Sequence, residues 1–194
     1  MADLFTTIKK PILSRLEKEL DPRLGYHNLS HTLDVLEQAE IIAHNEGIHD
    51  EHDLLLLKTA AAFHDSGFLF VYKHHEEKSC EIATEYVKDV FDKNDLERIH
   101  GMIMATRIPQ TPHNILEKII CDADLDYLGR NDFEPISRSL HKEFITFKII
   151  PDDCIWDHLQ IKFFHTHQYF TKTEIEKRNE TKLKHLAMLK ERSN

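Results

Sequence analysis

The chain has few of the residues that punctuate β structure or staple an extracellular scaffold. Of 194 residues only 5 are glycine and 6 are proline, too few for a turn-rich all-β fold or a disordered segment. Its three cysteines, Cys80, Cys121 and Cys154, stand far apart and are odd in number. They suit neither a disulfide framework nor a zinc cluster and read as reduced thiols of a cytoplasmic protein. No apolar run approaches the ~18 residues of a membrane span. The opening Met-Ala-Asp-Leu-Phe lacks the basic and then apolar order of a signal peptide. Excess positive charge is missing too. Lys and Arg number 25 against 34 Asp and Glu, a formal net charge of −9, which argues against non-specific nucleic-acid binding.

What the chain does have is helical periodicity. Leu4, Ile8, Ile12, Leu16 and Leu20 recur every fourth residue, which predicts a helix over 3–20. Asp21-Pro22 stops it. A second helix runs to about Glu46 with Gly47 as its C-cap, and His31, Val35, Ala39 and Ile42 share its inward face. Helices are also expected over 51–65, 76–92, from a cap at Asp95 to Thr106, and over 115–123. Three more follow over 132–148, 152–170 and 174–191, the last so charged that it is placed on the surface. Gly67 to Tyr72 is read as a short loop, of strand-like composition but with nothing nearby to pair with. With no repeat and no linker, the pattern predicts an all-α fold in one domain.

Three of these helix ends carry residues that suit a divalent cation. Ala60-Ala61-Ala62-Phe63 runs directly into His64-Asp65, two ionisable groups where the apolar face has been pointing. A coordinated metal removes the cost of burying such groups. His31 points inward from the second helix, and Asp122-Ala123-Asp124 ends the sixth. Neutral imidazoles and carboxylates converging from separate elements make a metal site. His27, one turn before His31, is expected at the helix entrance and more exposed, where it either caps and packs or transfers a proton.

Tyr26-His27-Asn28-Leu29-Ser30-His31, then His64-Asp65, then Ala123-Asp124 resembles the HD superfamily of metal-dependent phosphohydrolases. The resemblance covers residues 24–130, and more loosely the helices over 132–191, so the chain reads as one HD-type helical bundle over 1–194. It implies that His31, His64, Asp65 and Asp124 hold a metal, with zinc, manganese, magnesium, nickel and iron all compatible. It further implies a metal-activated water attacking phosphorus in line, His27 protonating the leaving group, and a small phosphorylated substrate, nucleotides included. His75 matches a ligand for a second metal. Where another histidine would complete that second site, the chain has Thr106-Arg107. One tight site is therefore expected, with at most a second, water-rich one, and a redox di-iron reading is disfavoured. Arg107, which ends an apolar helix, and Lys73 are the candidate phosphate-binding cations. Asp122 and Asp126 are expected to orient ligand imidazoles. The alternative reading is a non-catalytic HD module that binds a nucleotide or effector and signals.

Overall fold

The computed structural model describes residues 2–193, the side chain of Ala2 excepted; Met1 of the opening pentapeptide and Asn194 lie outside it. Among the described residues there are α-helices and 3₁₀ turns and no strand. The helices are α1 (Ala2–Glu19), α2 (Leu29–Asn45), α3 (Glu51–Phe63), α4 (His75–Val87), α5 (Lys93–Ala105), α6 (Ile115–Asp124), α7 (Phe133–Thr146), α8 (Trp156–Thr166) and α9 (Lys172–Arg192). No helix is long and apolar enough to cross a membrane.

Capping chemistry sets most boundaries. Asn28 opens α2, its side chain accepting from Ser30 N and His31 N. Asp50, Asp92 and Asn114 open α3, α5 and α6 in the same way. Gly47, at φ +80°, closes α2: its N–H reaches His44 O, and the Ile48 N–H reaches Ala43 O. That pair of bonds is a Schellman closure, which needs a left-handed residue at this position.

Several expected boundaries move. The cap of α5 is Asp92 rather than Asp95. Asp95 is the third residue of the helix and donates its N–H to Asp92 Oδ1 at 2.9 Å, while its carboxylate faces His52 at 2.8 Å. Helix α4 ends at Val87, so Val90 falls outside it and is exposed. Helix α8 is shorter than 152–170. Asp152 caps a separate 3₁₀ turn, Asp153–Ile155, and the backbone is extended again at His167. The loop expected over 67–72 begins with a 3₁₀ turn, Ser66–Leu69, and forms no strand. The charged helix α9 is not confined to the surface: Glu174, Lys182, Leu186 and Leu189 are buried along it.

Two apolar clusters result. The larger joins α1 to α6 through residues such as Ile12, Leu16, Ile42, Leu56, Phe63, Ile103 and Ile119. The smaller joins Tyr26, Leu128 and Phe133 to Phe164 and Leu189 of the C-terminal helices.

Candidate metal centre

Every expected ligand sits at a helix terminus. His31 is the third residue of α2, one turn past the Asn28 cap. His64 follows α3 directly, and Asp65 precedes the Ser66–Leu69 turn. His75 is the first residue of α4, and Asp124 the last of α6. A terminus frees the side chain from packing on its own next turn while the helix behind it stays anchored in the core.

Their donor atoms converge. His31 Nε2 lies 3.4 Å from His64 Nε2, 3.4 Å from Asp65 Oδ2 and 3.1 Å from Asp124 Oδ1. His64 Nε2 lies 3.3 Å from Asp65 Oδ2 and 3.7 Å from Asp124 Oδ1. Ligands of one ion at bond lengths of about 2.1 Å stand roughly 3.0–3.4 Å apart at octahedral or tetrahedral angles. His31, His64 and Asp65 are all buried and can hold an ion together.

Three details test the fit. Asp65 Oδ2 is buried and accepts no hydrogen bond although two imidazoles face it. The His64 Nδ1–H donates to Ala61 O at 2.9 Å, which leaves the Nε2 lone pair toward the cluster. The electrostatics call for positive charge. Burial opposes charge on His31, but Asp124 and Asp65 raise its pKa to about 9. His64 rises as well, against burial, beside Asp65 and Asp124. Burial would raise the two carboxyls, yet the imidazoles outweigh it, holding Asp65 well below its usual range and Asp124 at about 2. A divalent cation meets the demand that protons otherwise fill, and the residues fit it.

His75 extends the cluster. Its Nδ1–H donates to Tyr72 O at 3.2 Å, and its Nε2 stands 3.4 Å from Asp65 Oδ1. Asp65 thus presents one oxygen to His31 and His64 and the other to His75. Thr106 adds no ligand, because its hydroxyl donates to Ile103 O at 2.8 Å.

His27 is half-buried just before the α2 cap, more exposed than His31. Its ring stacks on Phe68, 4.3 Å between centroids, and Phe68 stacks on His75 at 4.0 Å. Its Nδ1 hydrogen-bonds Glu143 Oε1. Glu143 Oε2 also accepts the backbone N–H groups of Tyr26 and His27 at 2.8 and 3.1 Å, and Oε1 accepts the Tyr72 hydroxyl at 2.8 Å. Burial would raise the Glu143 carboxyl, but these donors, His27 first, keep it below its usual range and ionised. Glu143, on α7, is the site residue that the sequence reading did not find.

The expected cations stay outside. The Arg107 guanidinium is paired with Glu77 and lies 3.6 Å from Glu76 Oε2, whereas Thr106 and Ile108 on either side of it line the cavity next to the cluster. Lys73 is exposed on the turn before α4 and does not line that cavity. Asp122 and Asp126 do not orient imidazoles. Asp122 accepts from Phe170 N, Thr171 N and the Thr171 hydroxyl, holding the start of α9. Asp126 pairs with Arg178 at 2.6 Å and Arg130 at 3.3 Å. The imidazole hydrogen bonds of His64 and His75 go to backbone carbonyls instead.

The HD domain model matches residues 28–126, half of the chain, and takes in His31, His64, Asp65, His75 and Asp124. The chain belongs to the HD domain family. Neither a curated protein nor a solved structure matches it. HD domains typically bind divalent metals and are generally hydrolases of a metal-dependent phosphohydrolase superfamily. The matched span begins after His27 and ends before α7, so the His27–Glu143 pair and helices α7 to α9 lie outside it.

Proposed function

We propose that this HD domain is a metal-dependent phosphohydrolase that cleaves the phosphate ester of a small molecule. The supporting observation is the convergence of His31 Nε2, His64 Nε2, Asp65 Oδ2 and Asp124 Oδ1 beside a histidine held by a buried carboxylate. His31, His64, Asp65 and Asp124 would hold one ion, and Asp65 with His75 would contribute to a second. A bound divalent ion supplies Lewis-acid activation of water and neutralises charge developing at phosphorus.

The remaining steps belong to the chain. Glu143 binds His27 at Nδ1, which leaves Nε2 to carry the proton that moves. In the hydrolysis, a bond from water oxygen to phosphorus forms and the bond from phosphorus to the ester oxygen breaks. The departing oxygen takes the proton from His27 Nε2. Phe68, packed between the rings of His27 and His75, keeps the proton donor and the ligand at a set separation.

The test is metal analysis of the purified chain, followed by a phosphoester screen in Mn²⁺, Mg²⁺ and Zn²⁺. Hydrolysis that disappears with chelation and returns with metal is the expected result. A metal-replete chain that hydrolyses no phosphoester and binds nucleotides tightly would make it a non-catalytic binding module instead.

A further inference from the structure

A cavity of about 310 Å³ opens directly from the metal cluster, with His27, Asp65, His75 and Asp124 on its inner wall. Its volume is at the small end of those of small-molecule sites. The outer wall is apolar. Helix α8 turns one face to it through Trp156, Leu159, Gln160 and Phe163, the i, i+3, i+4 and i+7 positions of a helix stripe. Leu140 and Phe144, four apart on α7, complete the wall. Among the described residues no Lys or Arg lines this space.

One side-chain amide, that of Gln160, interrupts the apolar wall. Gln160 is 7% exposed, and its Nε2 donates to Ser137 Oγ at 2.5 Å. Its Oε1 is buried and has no hydrogen-bond partner. An unpaired buried carbonyl costs roughly as much as a lost hydrogen bond. Gln160 lines the cavity and Ser137 does not, so a small turn of the amide about the Ser137 bond brings Oε1 to a donor on whatever fills the space.

We infer that the substrate of this site is a singly phosphorylated compound whose leaving group is compact and apolar, with one N–H or O–H donor that meets Gln160 Oε1. Polyphosphates and sugar phosphates fit poorly. A second phosphate would meet no cation in the cavity, and sugar hydroxyls beyond the one that meets Gln160 would lose water against the Leu, Phe and Trp side chains of the outer wall. The phosphate end of this inference rests on the phosphohydrolase reading, but the body-binding end can be read without turnover.

Trp156 is the only tryptophan in the chain and lines the cavity, so its fluorescence reports occupancy. The metal-loaded full chain would be titrated with biphenyl-4-ylphosphonate, its 4′-hydroxy analogue and ribose 5-phosphate. The biphenyl compounds should shift Trp156 emission, the hydroxy analogue binding about five- to tenfold tighter, as one added buried hydrogen bond allows. Ribose 5-phosphate should bind more weakly than either. Gln160→Met should erase the advantage of the hydroxyl and keep binding of the plain biphenyl. Ile108→Lys, at an exposed position on the rim (53% exposed), should weaken both biphenyl compounds while far-UV circular dichroism stays unchanged. Tighter binding of ribose 5-phosphate, or a hydroxyl advantage that survives Gln160→Met, would overturn the inference. Biphenyl binding without hydrolysis of biphenyl-4-yl phosphate would support it and count only against the hydrolase reading.

Discussion

Asp65 and Glu143 are both buried carboxylates, and the surroundings of each set its task. Asp65 meets the Nε2 atoms of His31, His64 and His75, and one of its oxygens accepts no hydrogen bond. Glu143 meets only donors: two backbone N–H groups, a tyrosine hydroxyl and His27. Removing Asp65 should therefore release the ion. Asp65→Ala is expected to lose both bound metal by elemental analysis and hydrolysis, and unchanged metal content would refute its placement as a ligand. His27→Ala should keep the metal and slow turnover by about 10²–10⁴-fold, the range of a general acid. Glu143→Gln should slow turnover within the same range without losing metal, because a neutral amide no longer holds the Nδ1–H in place while Nε2 carries a proton of its own. A change in KM alone, with kcat intact, would remove His27 and Glu143 from proton transfer. The sequence shows the candidate metal ligands because each stands at one end of an apolar helix, as His64-Asp65 follows Ala60 to Phe63. Glu143 gives no such signal. It lies 116 residues from His27 in the chain, in a stretch, His141-Lys142-Glu143, that reads like any solvated helix face.

Among the helices, the joint between the Ser66–Leu69 turn and α4 carries the tightest constraint near the site. A Cβ on Gly67 would lie 2.0 Å from His75 O and 2.7 Å from His75 C. Only glycine lets the turn rest on the first residue of α4, where the Gly67 N–H is held by Ser79 Oγ at 2.8 Å. Gly67→Ala must push the turn and α4 apart, shifting His75 away from Asp65. The expected cost is about 1–3 kcal/mol, that of overpacking a filled space, together with weaker metal binding although no ligand is altered. Denaturant melts and a metal titration would check this, and normal values in both would mean that the joint is soft. Caps explain which boundaries were legible. Asn28, Asp50 and Asn114 stand just before the periodic stretches and were followed by helices. Asp92 and Asp95 are three apart and chemically alike, so local sequence offers no way to choose between them; His52, brought from α3, occupies Asp95. The loop over 67–72 was legible because nothing nearby could pair with its strand-like composition, but the 3₁₀ turn within it depends on α4 packing against it.

The metal cluster lies between the two apolar clusters of the whole molecule: Ala61 beside His64 belongs to the larger, and Tyr26, whose ring is 4.5 Å from that of His31, to the smaller. An ion there ties α2, α3 and α6 together. At a hundred times its Kd it adds about 2.7 kcal/mol, which for a chain of this size moves Tm by about 5–10 °C. Chelation should lower Tm by that amount, and His64→Ala should start low and ignore the chelator. Helix α9 couples the far side of the molecule to pH. Its composition suggested a solvated surface helix, yet Arg178 is spent on Asp126, and Glu174 beside them is fully buried. Burial, with Asp126 nearby, raises the Glu174 carboxyl to about 8 despite Lys177 and Arg178 at 3.6 Å. Between the ordinary carboxylate range and pH 8, the folded chain keeps a proton that the unfolded chain releases. Stability contributed by this group is therefore full below about pH 4.5 and falls as pH rises toward 8, by up to about 1.4 kcal/mol per pH unit. Asp122, raised by burial to about 6, adds a slope of the same sign at the acid end. In urea melts of the metal-loaded chain between pH 5 and 8, Glu174→Gln should flatten the decline, since an amide has no proton to lose. An unaltered slope in that variant would place the retained proton on another group.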